Sequence, residues 1–87
     1  MEFEWDEANV RHIARHAATP EEAEQVLLND PLVVAVQLRQ GEQRVLCLGE
    51  PDAGRLLTVV FTKRTGKIRI VTAHPMNRKQ RAAYEEQ

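Results

Sequence analysis

The sequence predicts an α+β domain: two N-terminal helices, a four-stranded antiparallel meander and a short C-terminal helix. Three observations carry this. Apolar residues recur with a helical period before residue 30, and β-branched runs follow from residue 32 to 73 with Gly-bearing turns between them. The links between those runs are too short for parallel crossovers, which need about a dozen residues. A chain of 87 residues buries only about 60–65% of the surface it exposes when unfolded, so 1–87 reads as one domain with one core. Any site must then lie on a face or in a shallow groove.

The first helix is expected from Asp6 to about His16. Asp6 is a suitable N-cap, Glu7 suits the first turn, and Val10, Ile13, Ala14 and Ala17 form one apolar stripe. Phe3 and Trp5 stand just outside it as an aromatic anchor. Thr19-Pro20-Glu21-Glu22 opens the second helix: Thr19 caps, Pro20 takes the position whose N–H is unbonded in any case, and Glu22 completes a capping box. Ala23, Val26 and Leu27 form its inner face, and Asp30-Pro31 ends it. Strands are expected over Leu32–Leu38, Gln43–Gly49, Arg55–Lys63 and Ile68–Ala73. Gln40-Gly41-Glu42, Glu50-Pro51-Asp52-Ala53-Gly54 and Arg64-Thr65-Gly66-Lys67 supply the turns. Pro75 stops the last strand, and Asn77 with Gln80 caps a helix to about Glu86. The pattern is ααββββα, with the helices on one face of the sheet.

The last helix is locally inconsistent. Arg78, Lys79 and Arg81 crowd its N-terminal turns, where the helix dipole disfavours positive charge by up to about 1 kcal/mol each. Little beyond Ala82, Ala83 and Tyr84 is apolar. Such an element is either a functional one or a frayed, solvated terminus with Arg81–Glu85 as an i, i+4 pair.

Cys47 is the single cysteine, so no intrachain disulfide forms, and its apolar surroundings predict a buried free thiol. The acidic opening predicts no secretory or transit signal, and no apolar run approaches the roughly 18–20 residues that span a bilayer. A cytoplasmic protein without membrane contact is expected. The net charge of −1 conceals a gradient along the chain. Residues 1–31 carry Glu2, Glu4, Asp6, Glu7, Glu21, Glu22, Glu24 and Asp30 against Arg11 and Arg15. Residues 63–87 carry Lys63, Arg64, Lys67, Arg69, Arg78, Lys79 and Arg81 against Glu85 and Glu86. A basic third points to an anionic partner.

Several short motifs succeed one another along nearly the whole chain. They begin with Phe3-Glu4-Trp5-Asp6, Arg15-His16, Pro20-Glu21-Glu22-Ala23 and Asp30-Pro31-Leu32. Glu42-x-Arg44 leading to Gly49, then Arg55, Leu57, Val59 and Arg64 follow. Arg69-Ile70-Val71-Thr72-Ala73 and the ending Arg78, Arg81, Tyr84, Glu85 close the series. In order and spacing the chain resembles toxins of the BrnT family. The resemblance implies a RelE-like ααββββ core and cofactor-free, metal-independent endoribonuclease action that blocks translation. It also implies a BrnA-like ribbon-helix-helix antitoxin as partner, with DNA contacted only through that antitoxin. Two positions depart from the family pattern: His74 stands where a basic residue usually follows the strand, and His12 where the first helix usually has Asn.

RNA can be cut with its own 2′-hydroxyl as nucleophile. The protein must accept that proton, protonate the leaving 5′-oxygen and hold the extra charge on phosphorus. Arg64 and Arg69 are candidates for the phosphate, His16 or His74 with Glu42 for proton transfer, and Arg44, Arg78, Lys79 and Arg81 for the RNA backbone. Each also has a plain reading. Arg69 can be a solvated strand residue, Arg64 a turn residue, His16 a helix-end imidazole, and Glu42 a turn or ion-pair residue. His12 and His16 share a helical spacing, but a zinc site needs a third ligand and no metal is expected. The rival to an enzyme is a catalytically weak homologue that serves as an antitoxin-binding module and co-repressor. Arginines and a histidine converging on one phosphate-sized hollow favour the enzyme. Scattered arginines with an exposed apolar groove elsewhere favour the module.

Overall fold

Two tight turns organise the sheet. Gln40-Gly41 and Thr65-Gly66 have φ of +51° and +77°, and of +49° and +81°, the left-handed pairs whose twist suits two-residue hairpins. The computed structural model describes residues 1–86. It contains β1 (Phe3–Glu4), α1 (Glu7–Ala14), α2 (Pro20–Leu28), β2 (Leu32–Arg39), β3 (Glu42–Gly49), β4 (Leu57–Arg64), β5 (Lys67–Pro75) and α3 (Arg78–Glu85). The helices start where the sequence places them. Asp6, Thr19 and Asn77 cap them, each in a reciprocal box with the residue three positions on.

The expected four-stranded antiparallel meander is corrected to a mixed five-stranded sheet ordered β1-β5-β4-β3-β2. The added strand, β1, pairs parallel with β5, Phe3 opposite Ile68 and Glu4 opposite Arg69. Two residues carry no readable alternation, and their partners lie at the far end of the chain. Where β1 stops, α1 continues along the same edge of the sheet. Asn9, buried, donates from Nδ2 to Glu4 O at 3.0 Å and to Ile70 O at 3.2 Å, which satisfies carbonyls at the point where the β1–β5 pairing ends.

A bulge in β5 sets which side chains face the core. Val60 pairs with Thr72 and Phe61 with Ile70, leaving Val71 as the extra residue. Ile70 and Ala73 can therefore both face the helices, beside Val59, Leu57 and Cys47. Ile13, Ala18, Ala23, Val26 and Leu27 close this core from α1, α2 and the link between them, with Phe3, Trp5 and Phe61 at its rim. The expected first-helix stripe is corrected: Ile13 is fully buried, but Ala14 and Ala17 are exposed because the helix ends at Ala14 and Ala17 turns to φ +59°. At Gly49 a Cβ would come within 2.8 Å of Val26 Cγ1, so β3 and α2 touch backbone to side chain. Cys47 is buried, its Sγ 3.5 Å from Val59 O, and burial pushes the thiol up to about 12.

α3 does not join the other two helices, contrary to the one-sided layering expected from sequence. Thr58, whose neighbours Leu57 and Val59 face α1 and α2, points the opposite way. Its Oγ1 donates to Gln80 Oε1 at 2.8 Å. Met76 is buried at the approach to α3 and Tyr84 is half-buried, while Arg81 makes no ion pair with Glu85 among the described residues. The helix is docked rather than frayed.

Candidate active site

The sheet face opposite α1 and α2 is covered by α3 at one end only. At the other end a hollow of about 270 Å³ is lined by Glu42, Arg44, Arg64, Arg69 and His12, with Ala8, Asn9 and Val71 as walls. Alternation along β3 and β5 aims Glu42, Arg44 and Arg69 to that face, and Arg64 ends β4 beside them. α1 runs along the sheet edge, so it presents Ile13 to the core and its neighbour His12 to the hollow. Sequence periodicity identified Ile13 but could not show that His12 meets residues thirty and more positions away.

Glu42 is the centre of the charge arrangement. It accepts from Arg64 Nε at 3.0 Å and lies 3.7 Å from Arg44 Nε. The second distance is too long for a hydrogen bond, and Arg44 Nε, buried, has no acceptor among the described residues. A desolvated charged donor without a partner costs about 1–3 kcal/mol, which an incoming anion would recover. Arg64 is the more exposed member, with about half of its side chain, 52%, open to solvent.

Arg69 is held differently. Its guanidinium meets Glu4 Oε1 at 3.1 Å and both oxygens of Asp6, at 2.9 and 3.2 Å, and its side chain is 15% exposed. The Arg69 guanidinium, then the Asn9 backbone N–H, holds the Asp6 carboxyl below its usual range; the same hydrogen bond raises Arg69. Arg69 thus forms one wall of the hollow while tying β1 and the α1 cap to β5.

His16 and His74 lie outside this hollow but connect to it. The rings of His12 and His16 are 6.2 Å apart and those of His16 and His74 are 5.7 Å apart, each pair edge to face. The three imidazoles form a row from the hollow toward the end of β5. His74 Nδ1 is 2.9 Å from Pro75 O; donating there leaves Nε2 with the lone pair. Arg78, Lys79 and Arg81 are exposed on α3 and do not line the hollow. Arg55 is a tie within the fold: its Nη2 donates to Ala17 O at 2.7 Å and to Glu22 Oε1 at 2.8 Å. Among the described residues no group of three or more His, Cys, Asp or Glu is placed to hold a metal ion, and no helix is long and apolar enough to cross a membrane.

The hollow can therefore offer three arginines to an anion and one imidazole, that of His12, to a proton, with the rings of His16 and His74 in a row beyond it. No curated protein matches the chain in sequence. A family model described as the ribonuclease toxin, BrnT, of type II toxin–antitoxin systems matches residues 5–80, a span that takes in every strand from β2 onward and every lining residue of the hollow. The chain belongs to the BrnT family of ribonuclease toxins.

Proposed function

We propose that this protein is an endoribonuclease that cuts RNA by 2′-hydroxyl attack, without a metal, at the hollow between α1 and the ends of β3, β4 and β5. The observation that carries the reading is the meeting of Arg44, Arg64, Arg69 and His12 around Glu42. An RNA phosphate entering the hollow gives Arg44 Nε the acceptor it lacks and draws Arg64 from Glu42. Their planar forks hold the non-bridging oxygens as charge grows in the pentacoordinate state. Arg69, pinned by Glu4 and Asp6, keeps the wall in place and adds positive potential. His12 accepts the 2′-hydroxyl proton as the oxygen bonds to phosphorus. His16, next in the row and backed by His74, protonates the departing 5′-oxygen, leaving a 2′,3′-cyclic phosphate and a 5′-hydroxyl. Glu42 orients the two arginines, and Arg78, Lys79 and Arg81 follow the RNA backbone along α3. Cutting mRNA, free or on ribosomes, stops translation in the cytoplasm. A BrnA-like ribbon-helix-helix antitoxin silences the toxin and carries the complex to DNA.

The test is cleavage of a defined RNA in EDTA by the wild-type protein and by His12→Ala and Arg44→Ala/Arg64→Ala variants. Loss of one charge-stabilising donor typically costs about 10²–10³ in rate, and the double variant should lose at least that. Cyclic-phosphate ends, lost in the variants, support the reading. Folded wild-type protein that leaves RNA intact, both free and in a translating extract, overturns it. A second reading then takes its place: an antitoxin-binding module, favoured by the exposed apolar run along β2.

A further inference from the structure

The strand farthest from β1 is unlike the rest of the molecule. Val33, Val34, Val36 and Leu38 of β2 are 55, 43, 57 and 74% exposed, and Leu28, at the end of α2, is 61% exposed. Apart from Met1 these are the exposed large apolar residues of the described chain. Single exposed apolar residues are ordinary, but a run of them along an unpaired strand edge is a template for another strand. β2 is the last strand of the sheet, so among the described residues its outer N–H and C=O groups pair with no further strand. Its register with β3 is broken at Val34 but regular from Ala35 to Arg39, which gives a straight docking segment of one to two turns of the pleat.

Charge identifies the occupant. Alternation puts Val36 and Leu38 on one side of this segment and Gln37 and Arg39 on the other, opposite Arg44 and Glu42 of β3. Arg39 and Arg44 also flank one depression there, and Arg64 follows toward the hollow. Antiparallel pairing with a second copy would bring both copies' Arg39 and Arg44 to one face of the join, with only the two Glu42 carboxylates between them. A strand carrying carboxylates instead satisfies this face, and its alternate side chains cover Val36 and Leu38.

We propose that β2 is the docking edge for an extended, acidic segment of a partner chain, apolar on the side over Val36 and Leu38 and carboxylate-bearing on the side over Arg39 and Arg44. The surface stands without the nuclease reading, and rests on the toxin reading only in naming the partner as the antitoxin. Arg44 belongs to both the docking face and the hollow, so the docked carboxylates compete with an RNA phosphate for it.

The test uses the whole chain with a seven-residue strand appended to its C-terminal end through a flexible linker of about 15 residues, whose root-mean-square reach is about 20 Å. The end of α3 is well placed for this, because Tyr84 and Glu85 line one hollow with Leu32 at the start of β2. The appended strand alternates Glu with Val in one version and Lys with Val in the other. Amide exchange is read at residues 35–39. The acidic strand should slow exchange there at least tenfold, the lysine strand should not, and Leu38→Lys should abolish the protection. Arg39→Glu/Arg44→Glu should transfer the preference to the lysine strand. Equal protection by both strands, or by neither, overturns the proposal. So does an unmodified chain that sediments as a dimer and is made monomeric by Leu38→Lys, since the occupant is then a second copy. Because no RNA is involved, failure of the nuclease assay leaves this result intact.

Discussion

Beyond β5 the sheet meets β1 and then the side chain of Asn9, with Arg69 clamped between Glu4 and Asp6. Beyond β2 no further strand pairs among the described residues, and side chains such as Leu38 are 74% exposed. Along β5 the sheet's polar groups thus find partners from within the chain, whereas β2 is paired on one side only among the described residues. A protein that needed only to fold would be expected to blunt both edges with charge or proline. The asymmetry suits the β5 side to stability and the β2 side to the docking proposed for it, and substitutions on each should separate the two.

The largest effect is expected at Asn9. Asn9→Ala removes the donor to Glu4 O and Ile70 O and half of the α1 capping box. The cost should be about 2–3 kcal/mol in urea unfolding, since buried carbonyls lose their partner. A loss under 0.5 kcal/mol would mean that water closes this edge equally well. A smaller effect is expected at Arg69. Its carboxylate partners are 35 and 53% exposed, so Arg69→Met should cost about 1 kcal/mol, the upper end for such pairs.

That clamp also has a pH signature. Asp6 is held below its usual range in the folded state, by Arg69 first and the Asn9 N–H second. Its contribution is therefore complete above the unfolded carboxyl value of about 4, and is lost as pH falls through the lower folded value. Urea midpoints measured from pH 7 to 2.5 should fall at the acid end, and Asp6→Asn should flatten that fall. The smallest effect belongs to the open edge. Leu38→Lys should change stability by less than about 0.5 kcal/mol, and a loss above 1 kcal/mol would place β2 within the core rather than at an interface.

Local chemistry made most of the fold legible. Thr19-Pro20-Glu21-Glu22 and Asn77 with Gln80 mark helix starts through side-chain-to-backbone bonds that span three residues. Gln40-Gly41 and Thr65-Gly66 mark hairpins through the φ they tolerate. What was not legible depends on contacts remote in sequence. β1 is too short to show a period, α3 is held to the opposite face by the Thr58–Gln80 bond and the burial of Met76, and Val71 shifts the alternation of β5 without any unusual residue type. The site was legible in part. Glu42, Arg44, Arg64 and Arg69 share a face because strand alternation and the hairpin turns put them there. His12 enters only because α1 lies along the sheet edge, and Arg69 is clamped only because the chain's opening returns to β5.

That return bears on the order in which the domain can be completed. Phe3 pairs with Ile68, Asp6 with Arg69 and Asn9 with Ile70, so residues 3–9 find their partners only once the chain has grown past residue 70. Closing a loop of some sixty residues costs roughly 3.5 kcal/mol in chain entropy by the (3/2)RT ln n relation. The β2–β3 hairpin, whose partners are close neighbours, can form long before. A nascent chain would therefore display the β2 edge proposed for docking while the wall that carries Arg69 is still unbuilt, and the open strand would precede the hollow.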